Sequence, residues 1–192
     1  YYMLTEKEML AYFRHLHNNV EAPLILYNIP QTTHMSLPLE IIEELADLPG
    51  IVGIKDSERN VDRMKKTAKA LAGRPDFRLY MGSAALAVQA LKCGFNGLVP
   101  SSGNLLPTLW RDLVEAAREG QWSVAEDLQE KLDAVNAVFQ EGRSLGQSLW
   151  ALKVALNAES LCEPHVGIPL QPLTEEEARK IKDGVASLKL PA

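Results

Sequence analysis

The chain has 192 residues, a length that suits one sizeable domain, and its hydrophobic content of 46% is ordinary for a globular protein. The net charge is −5 and the basic residues are scattered, so no basic stripe is available to neutralise phosphates. These numbers argue against nucleic acid as a partner.

Sequence patterns also bear on location and metal binding. No apolar stretch is long enough to span a bilayer and no signal-peptide pattern is present, so we expect no membrane partner and a cytoplasmic location. Cys93 and Cys162 form neither a disulfide framework nor a zinc motif, and the four histidines show no metal-ligand spacing. The chain starts at Tyr1-Tyr2, directly before a predicted helix, which suggests a start within a fold.

Strand-like and helix-like segments alternate from the N-terminus to about residue 120. The first helix is predicted from a Thr5 cap, paired with Glu8 in a capping box, to about Asn19. The predicted strands are short apolar runs at residues 24–29, 51–55, 77–81 and 97–99. The predicted helices between and after them cover residues 39–48, 61–71, 84–93 and 106–118. After Gly120 only helices are predicted, at residues 124–139, 149–158 and 175–188. The segment from Gly142 to Gly146 is predicted to be a loop, and Thr174 with Glu177 is predicted to form a second capping box.

This alternation predicts an α/β fold with a parallel sheet covered on both faces. An open doubly wound sheet would carry a glycine-rich dinucleotide fingerprint, which the sequence lacks. Polar residues instead follow successive strands, where a (β/α)8 barrel places its active site. Since four strands cannot close such a barrel, residues 1–120 are predicted to be the second half of a TIM (β/α)8 barrel. Residues 121–192 are predicted to be a C-terminal helical extension.

Lys55 is the most informative residue, because it interrupts the apolar run 51–54. A lysine condenses with a carbonyl only while its amine is unprotonated, and burial among apolar neighbours disfavours the charged form. Tyr27 ends the neighbouring predicted strand and could move the protons that this step requires. The alternatives are a lysine just past a strand end with its amine in water, and a tyrosine that only packs.

Four segments together resemble the dihydrodipicolinate synthase / N-acetylneuraminate lyase family of class I aldolases. They are Tyr27-Asn28-Ile29-Pro30, Gly53-Ile54-Lys55-Asp56-Ser57, Met81-Gly82-Ser83 and residues 94–99. The likeness covers nearly the whole chain. It implies that Lys55 forms an imine with pyruvate or another 2-oxo acid, and that Tyr27 relays protons while a carbon–carbon bond is made or broken. It implies no metal or organic cofactor, because the lysine itself performs the electronic work.

The resemblance also implies substrate-binding positions and an assembly. Backbone groups near Val99 would face the lysine, and Gly82 would let substrate approach closely, with an ordinary turn glycine as the alternative. Tyr1 or Tyr2 resembles a tyrosine that completes a proton relay in a neighbouring subunit. A homotetramer is therefore expected.

The turn after Pro30 departs from the synthases of this family, which carry an arginine where this chain has Thr32. A threonine cannot make the bidentate contact that arginine makes with a carboxylate. Thr33 agrees with the family, whereas a glycine is usual at His34. This pattern favours a lyase of the 2-keto-3-deoxygluconate aldolase type, acting on pyruvate and an aldehyde.

Two alternatives to this lyase stay open. One is a condensing synthase or a dehydratase that uses the same imine chemistry. The other is a non-catalytic homologue that binds a 2-oxo acid, since the family's threonine pair for the pyruvyl carboxylate lies in the first half of the barrel, outside this chain.

Overall fold

A computed structural model describes residues 2–188 and contains one parallel sheet with strand order β1-β2-β3-β4. The strands are β1 (Leu24–Asn28), β2 (Ile51–Asp56), β3 (Arg78–Met81) and β4 (Gly97–Leu98). Each is parallel to its neighbour, because a helix or helical turn carries the chain back between consecutive strands. The prediction of four parallel strands in chain order is confirmed, and each strand differs from its predicted range by one residue at one end.

The helices of the described residues also follow the predicted order. They are α1 (Glu6–Asn19), α2 (Pro30–Thr33), α3 (Leu39–Ala46), α4 (Val61–Leu71), α5 (Ala87–Lys92), α6 (Pro107–Arg118), α7 (Trp122–Gln140), α8 (Leu145–Ala158) and α9 (Glu175–Ser187). Short 3-10 turns lie at Ala84–Leu86 and Ser101–Asn104. In this part of the chain, no helix has the length and apolar character needed to cross a bilayer.

Three helical features differ from the sequence-based prediction. The one-turn helix α2 was not predicted, and it begins with Pro30 at its first position, which suits the fixed φ of proline. The helix expected at residues 84–93 is a 3-10 turn followed by the shorter α5. Helix α8 begins at Leu145, four residues earlier than predicted, because Ser144 and Gln147 form a capping box.

The described chain divides into two compact units, the first ending at Pro100 and the second starting at Ser101. The first unit contains the sheet and helices α1 to α5, and the second contains helices α6 to α9. The boundary after residue 120, between the half-barrel and the helical extension, stays a prediction.

In the first unit the core lies on one face of the sheet. Ile54 of β2 and Leu26 of β1 are buried there with Ile42 and Leu45 of α3 and Met64 of α4. The side chains on the other face alternate with these, as they must in a pleated strand.

The opposite face of the sheet is open. Ile25 is 52% exposed and Tyr27 is 46% exposed, so among the described residues only the core side of the sheet is covered, and cover on this second face stays a prediction. A continuous apolar run does not distinguish a strand buried on both faces from one whose second apolar face stays exposed.

The second unit has its own apolar core. Its central side chains come from three helices and are buried almost completely: Leu132, Val135 and Phe139 of α7, Ala151 and Val154 of α8, and Ile181 of α9. Helix α9 begins at a capping box of Thr174 and Glu177, as the sequence predicted.

Candidate active site

Lys55 and Tyr27 lie side by side on neighbouring strands. They are paired in the register of β1 and β2, and the Lys55 Nζ lies 4.1 Å from the centroid of the Tyr27 ring. An amine at this distance over an aromatic face is attracted by the ring quadrupole. Lys55 is half-buried and belongs to β2 itself, so the alternative of a lysine beyond the strand end is wrong.

The neighbours of this pair follow from strand alternation. Lys55 is also in register with Tyr80 of β3, and Tyr80 is in register with Gly97 of β4. Since side chains two residues apart share a face, Val99 belongs on the same side of the sheet as Lys55. Val99 is 44% exposed, and its backbone N–H donates to Met81 O at 2.9 Å, which continues the sheet beyond β4.

Gly82 lies directly against the lysine. Its N–H donates to Asp56 O at 2.7 Å, which ties it to the end of β2. A Cβ at this position would overlap Ser57 Oγ and would lie 3.0 Å from Lys55 Cε. Gly82 is therefore a close-approach glycine beside the amine, rather than an ordinary turn glycine.

Thr32 and Thr33 lie in α2, which follows β1 after a single residue. Both hydroxyls donate to Ile29 O, at 3.1 and 3.2 Å, and the Thr33 hydroxyl also donates to Met35 O at 2.9 Å. Both residues are exposed, and no described contact joins them to Lys55. Their role in substrate binding stays a prediction.

His34 ends α2 in the left-handed conformation, with φ 57° and ψ 13°. Glycine adopts this conformation at the lowest cost, so a histidine here carries backbone strain that a glycine would not. Tyr2 precedes α1 and is 75% exposed, whereas Tyr1 lies outside the described residues.

Sequence reasoning missed a buried polar network behind the pair. Asn28 and Asp56, the residues after Tyr27 and Lys55, are 1% and 2% exposed and lie on the opposite, core-facing side of the sheet. Asn28 Nδ2 donates to Asp56 Oδ1 at 2.9 Å, and Arg63 Nε donates to Asp56 Oδ2 at 3.0 Å. A polar residue at the core-facing position of each of two adjacent strands was the signal that could have revealed it.

Residues 1–188 match the model of the dihydrodipicolinate synthetase family. A 4-hydroxy-tetrahydrodipicolinate synthase of Neisseria meningitidis serogroup C is 32% identical over 180 residues, which cover 93% of this chain and 59% of that protein.

Two solved structures with a similar fold add to this match. YagE, a prophage protein of the dihydrodipicolinic acid synthase family from E. coli K12 in complex with pyruvate, superposes with a TM-score of 0.90 and 26% identity. This superposition covers 100% of this chain and 64% of that chain. KD(P)GA from T. tenax superposes with a TM-score of 0.82 and 27% identity, over 98% of this chain and 64% of that one.

The parallel α/β architecture and the lysine–tyrosine pair thus occur in a chain whose sequence and fold match one family throughout. The chain belongs to the dihydrodipicolinate synthetase family. It spans about three fifths of the length of the curated relatives it matches. The predicted family and the fold class, part of a TIM barrel followed by a helical extension, are confirmed.

Proposed function

We propose that the protein is a lyase of the class I aldolase type, in which Lys55 forms an imine with pyruvate. The observation that carries this proposal is the 4.1 Å separation between the Lys55 amine and the Tyr27 ring on adjacent strands. Membership of the dihydrodipicolinate synthetase family supports it independently of that geometry.

The chemistry needs only the amine and a proton carrier. In the cleavage direction the Lys55 amine attacks the C2 carbonyl carbon of a 4-hydroxy-2-oxo acid, and the resulting carbinolamine loses water to give a protonated imine. As the C4 hydroxyl gives up its proton, the bond between C3 and C4 breaks and its electron pair moves into the imine, so an aldehyde leaves and an enamine remains. Protonation of the enamine at C3 and hydrolysis of the imine then release pyruvate and the free amine. In the condensing direction the same enamine attacks an aldehyde. Tyr27, whose ring lies against the amine, carries the proton in these steps.

The glycine at position 82 supports close packing around the lysine. Because a Cβ there would overlap Ser57 Oγ and lie 3.0 Å from Lys55 Cε, the absence of a side chain lets both side chains keep their places at this end of the sheet. We assign Gly82, with the backbone near Val99, to the binding of the 2-oxo acid.

The favoured substrate class is a 2-oxo-3-deoxy sugar acid, which would yield pyruvate and a hydroxyaldehyde. Thr32 supports this class, because its hydroxyl donates to Ile29 O and it offers no cation for a second carboxylate. The structural likeness to KD(P)GA from T. tenax agrees with it.

A condensing synthase is the second candidate, because the N. meningitidis relative carries that name. The two candidates differ in the partner of the enamine. A panel of hydroxyaldehydes and of aldehydes bearing a carboxylate, each supplied with pyruvate, separates them by which product forms.

The assembly belongs to the proposal as well. A homotetramer follows from the family resemblance, and Tyr1 or Tyr2 is assigned to a proton relay in a neighbouring subunit on the same grounds of resemblance. Thr33 is assigned to the substrate-binding turn on the same grounds of resemblance.

The imine is tested by incubating the full-length natural protein with pyruvate and borohydride, followed by peptide mass spectrometry. We expect a reduced pyruvate adduct on the peptide that contains Lys55, and none after Lys55→Arg, because a guanidinium does not form an imine under these conditions. Lys66→Ala is the matched control, since Lys66 is exposed on α4 and its loss should leave the adduct unchanged. A full-length protein without any Lys55 adduct would contradict the lyase proposal.

A further inference from the structure

We propose that Asn28 is a positioning residue, which fixes the orientation of Lys55 and Tyr27 through the buried carboxylate of Asp56 and the partly buried carboxylate of Glu58. Its meaning for catalysis rests on the proposed function. The structural part of the inference rests on the hydrogen bonds of the network alone.

Asn28 has a defined orientation because its amide groups are engaged on both sides. Its Nδ2 donates to Asp56 Oδ1 at 2.9 Å and to Glu58 Oε2 at 3.2 Å, so both amide protons are used. Its Oδ1 accepts from Leu37 N at 3.0 Å. Asn28 is 1% exposed, so water does not compete for these groups. If the amide were flipped, its NH2 group would face the N–H of Leu37 and its oxygen would face the two carboxylates.

The two carboxylates extend the network to other elements. Asp56 accepts from Glu58 N at 2.9 Å through Oδ1 and from Arg63 Nε at 3.0 Å through Oδ2. Glu58 Oε2 accepts from Ser36 Oγ at 2.6 Å and lies 3.3 Å from Arg63 Nε. Charge-assisted hydrogen bonds of this kind are the stronger ones in proteins.

This network joins four parts of the first unit. It connects the end of β1, the end of β2, the first turn of α4 and the segment before α3. Its two strand residues, Asn28 and Asp56, lie on the core side of the sheet. The position of Asn28 is therefore determined by three elements besides its own strand.

The orientation of the lysine–tyrosine pair follows from that of the network. Tyr27 precedes Asn28 and Lys55 precedes Asp56, and successive side chains of a strand point to opposite faces. A rotation of the backbone at either network residue would turn its neighbour by a similar angle and change the 4.1 Å separation of Nζ and ring. A displacement of about 1 Å near reacting groups can slow a reaction roughly 100-fold.

Asn28→Asp is the sharpest test of this inference, because it keeps the shape and inverts the hydrogen-bonding role. The new carboxyl would face Asp56 and Glu58, with Arg63 as the one facing cation, in a buried site. Like charges and burial both raise the pKa of such a carboxyl. When protonated it can donate one of the two hydrogen bonds that the amide donates, so the effect of the substitution should lessen as the pH falls.

The measurement is the rate at which the Lys55–pyruvate adduct forms, with cyanoborohydride to trap it. It is made across roughly pH 5 to 8, because a raised carboxyl pKa would lie in or near this range. For Asn28→Asp we expect a rate about 10- to 100-fold below that of the unsubstituted protein at neutral pH, with the ratio recovering on acidification. Asn96→Asp is the control, since Asn96 Oδ1 accepts from Leu79 N at 2.8 Å near the other end of the sheet and the new side chain can still accept. It should show no change in rate or pH profile.

A milder variant keeps the inference testable if Asn28→Asp does not fold. Ser36→Ala removes only the outer hydrogen bond to Glu58, and we expect a smaller decrease in the trapping rate with unchanged melting temperature. Equal trapping rates and pH profiles for Asn28→Asp, Ser36→Ala and the unsubstituted protein would overturn the proposal.

The two proposals fail in different ways. If the unsubstituted protein forms no pyruvate adduct, the proposed function is wrong. The positioning role is then tested by the rate at which acetic anhydride acetylates Lys55, divided by the rate for Lys66. A changed ratio in folded Asn28→Asp supports the positioning role without pyruvate, and an unchanged ratio overturns it.

Discussion

At the scale of single residues, Gly82 makes the most direct prediction. Gly82→Ala places a methyl group that overlaps Ser57 Oγ and lies 3.0 Å from Lys55 Cε. Because the N–H of Gly82 is held by Asp56 O, the strain falls on the two side chains. We expect pyruvate adduct formation at Lys55 to decrease by at least about tenfold, measured by borohydride trapping in the full-length protein.

Gly73→Ala provides the matched control for this substitution. Gly73 follows α4, and a Cβ there would meet no atom within 4 Å. The control should therefore trap pyruvate at the unsubstituted rate. Equal trapping by Gly82→Ala and Gly73→Ala would show that the amine tolerates a methyl group beside it, which contradicts the close-approach assignment.

The sequence allowed the reactive pair to be predicted, but not its surroundings. Lys55 is conspicuous because a charged residue interrupts an apolar run, and this signal is local. The bond between Asn28 and Asp56 joins residues that are 28 positions apart, and it depends on the register of β1 against β2. Register is a tertiary property, so the network became visible only in the structure.

At the scale of elements, prediction succeeded where apolar periodicity and capping signals agreed. The boxes at Thr5 and Thr174 were recognised in the sequence and are present in the structure. The start of α8 was missed because Gly142 and Gly146 suggested a loop, although Ser144 and Gln147 carry the same capping signal. A glycine in the first turn of a helix lowers the local helix propensity but does not outweigh a formed cap.

The capping box at the start of α9 should make the stability of the fold depend on pH. Thr174 N and Thr174 Oγ1 each donate to Glu177 Oε2 at 3.0 Å, and these bonds, the backbone one foremost, lower the pKa of Glu177 from its ordinary value of 4.5. A carboxyl with a lowered folded-state pKa stabilises the fold above its unfolded pKa, and this contribution is lost as the pH falls through the folded value. We expect Glu177→Gln to lower the melting temperature at neutral pH, with a difference that disappears in acid.

Helix α8 offers the converse variant, because its box already contains the uncharged Gln147. Gln147→Glu should raise the melting temperature at neutral pH, where the new carboxylate accepts from Ser144 N at the positive end of the helix, and should lose that gain in acid. Melting curves at a series of pH values measure both variants. A difference between variant and unsubstituted protein that is constant with pH would contradict the assignment.

At the scale of the whole molecule, the open face of the sheet governs solution behaviour. Ile25, Tyr27 and Val99 are each about half exposed on this face, and exposed apolar sheet surfaces promote association. We expect the 192-residue chain to self-associate with increasing concentration. Ile25→Thr should weaken this association while changing the free energy of unfolding by less than about 0.5 kcal/mol. Light scattering over a concentration series measures the first effect, and denaturant unfolding measures the second.

Ile51→Thr is the comparison on the buried face. Ile51 is 3% exposed at the start of β2, so a hydroxyl there loses apolar burial and should cost about 1–3 kcal/mol. Because Ile51 is buried, Ile51→Thr should not change association at the open face as long as the chain remains folded. Association that is unchanged by Ile25→Thr would show that another surface holds the chains together.

The alternation of β2 limits how this part of the gene can vary in length. Lys55 faces the open side and Asp56 the core, so removing one residue upstream within the strand would exchange them. A carboxylate would then lie against the Tyr27 ring, and an ammonium would take the buried place of Ile54 in the apolar core. Deletions or insertions of a single codon should therefore be tolerated in the loops around β2, but not between Ile51 and Asp56.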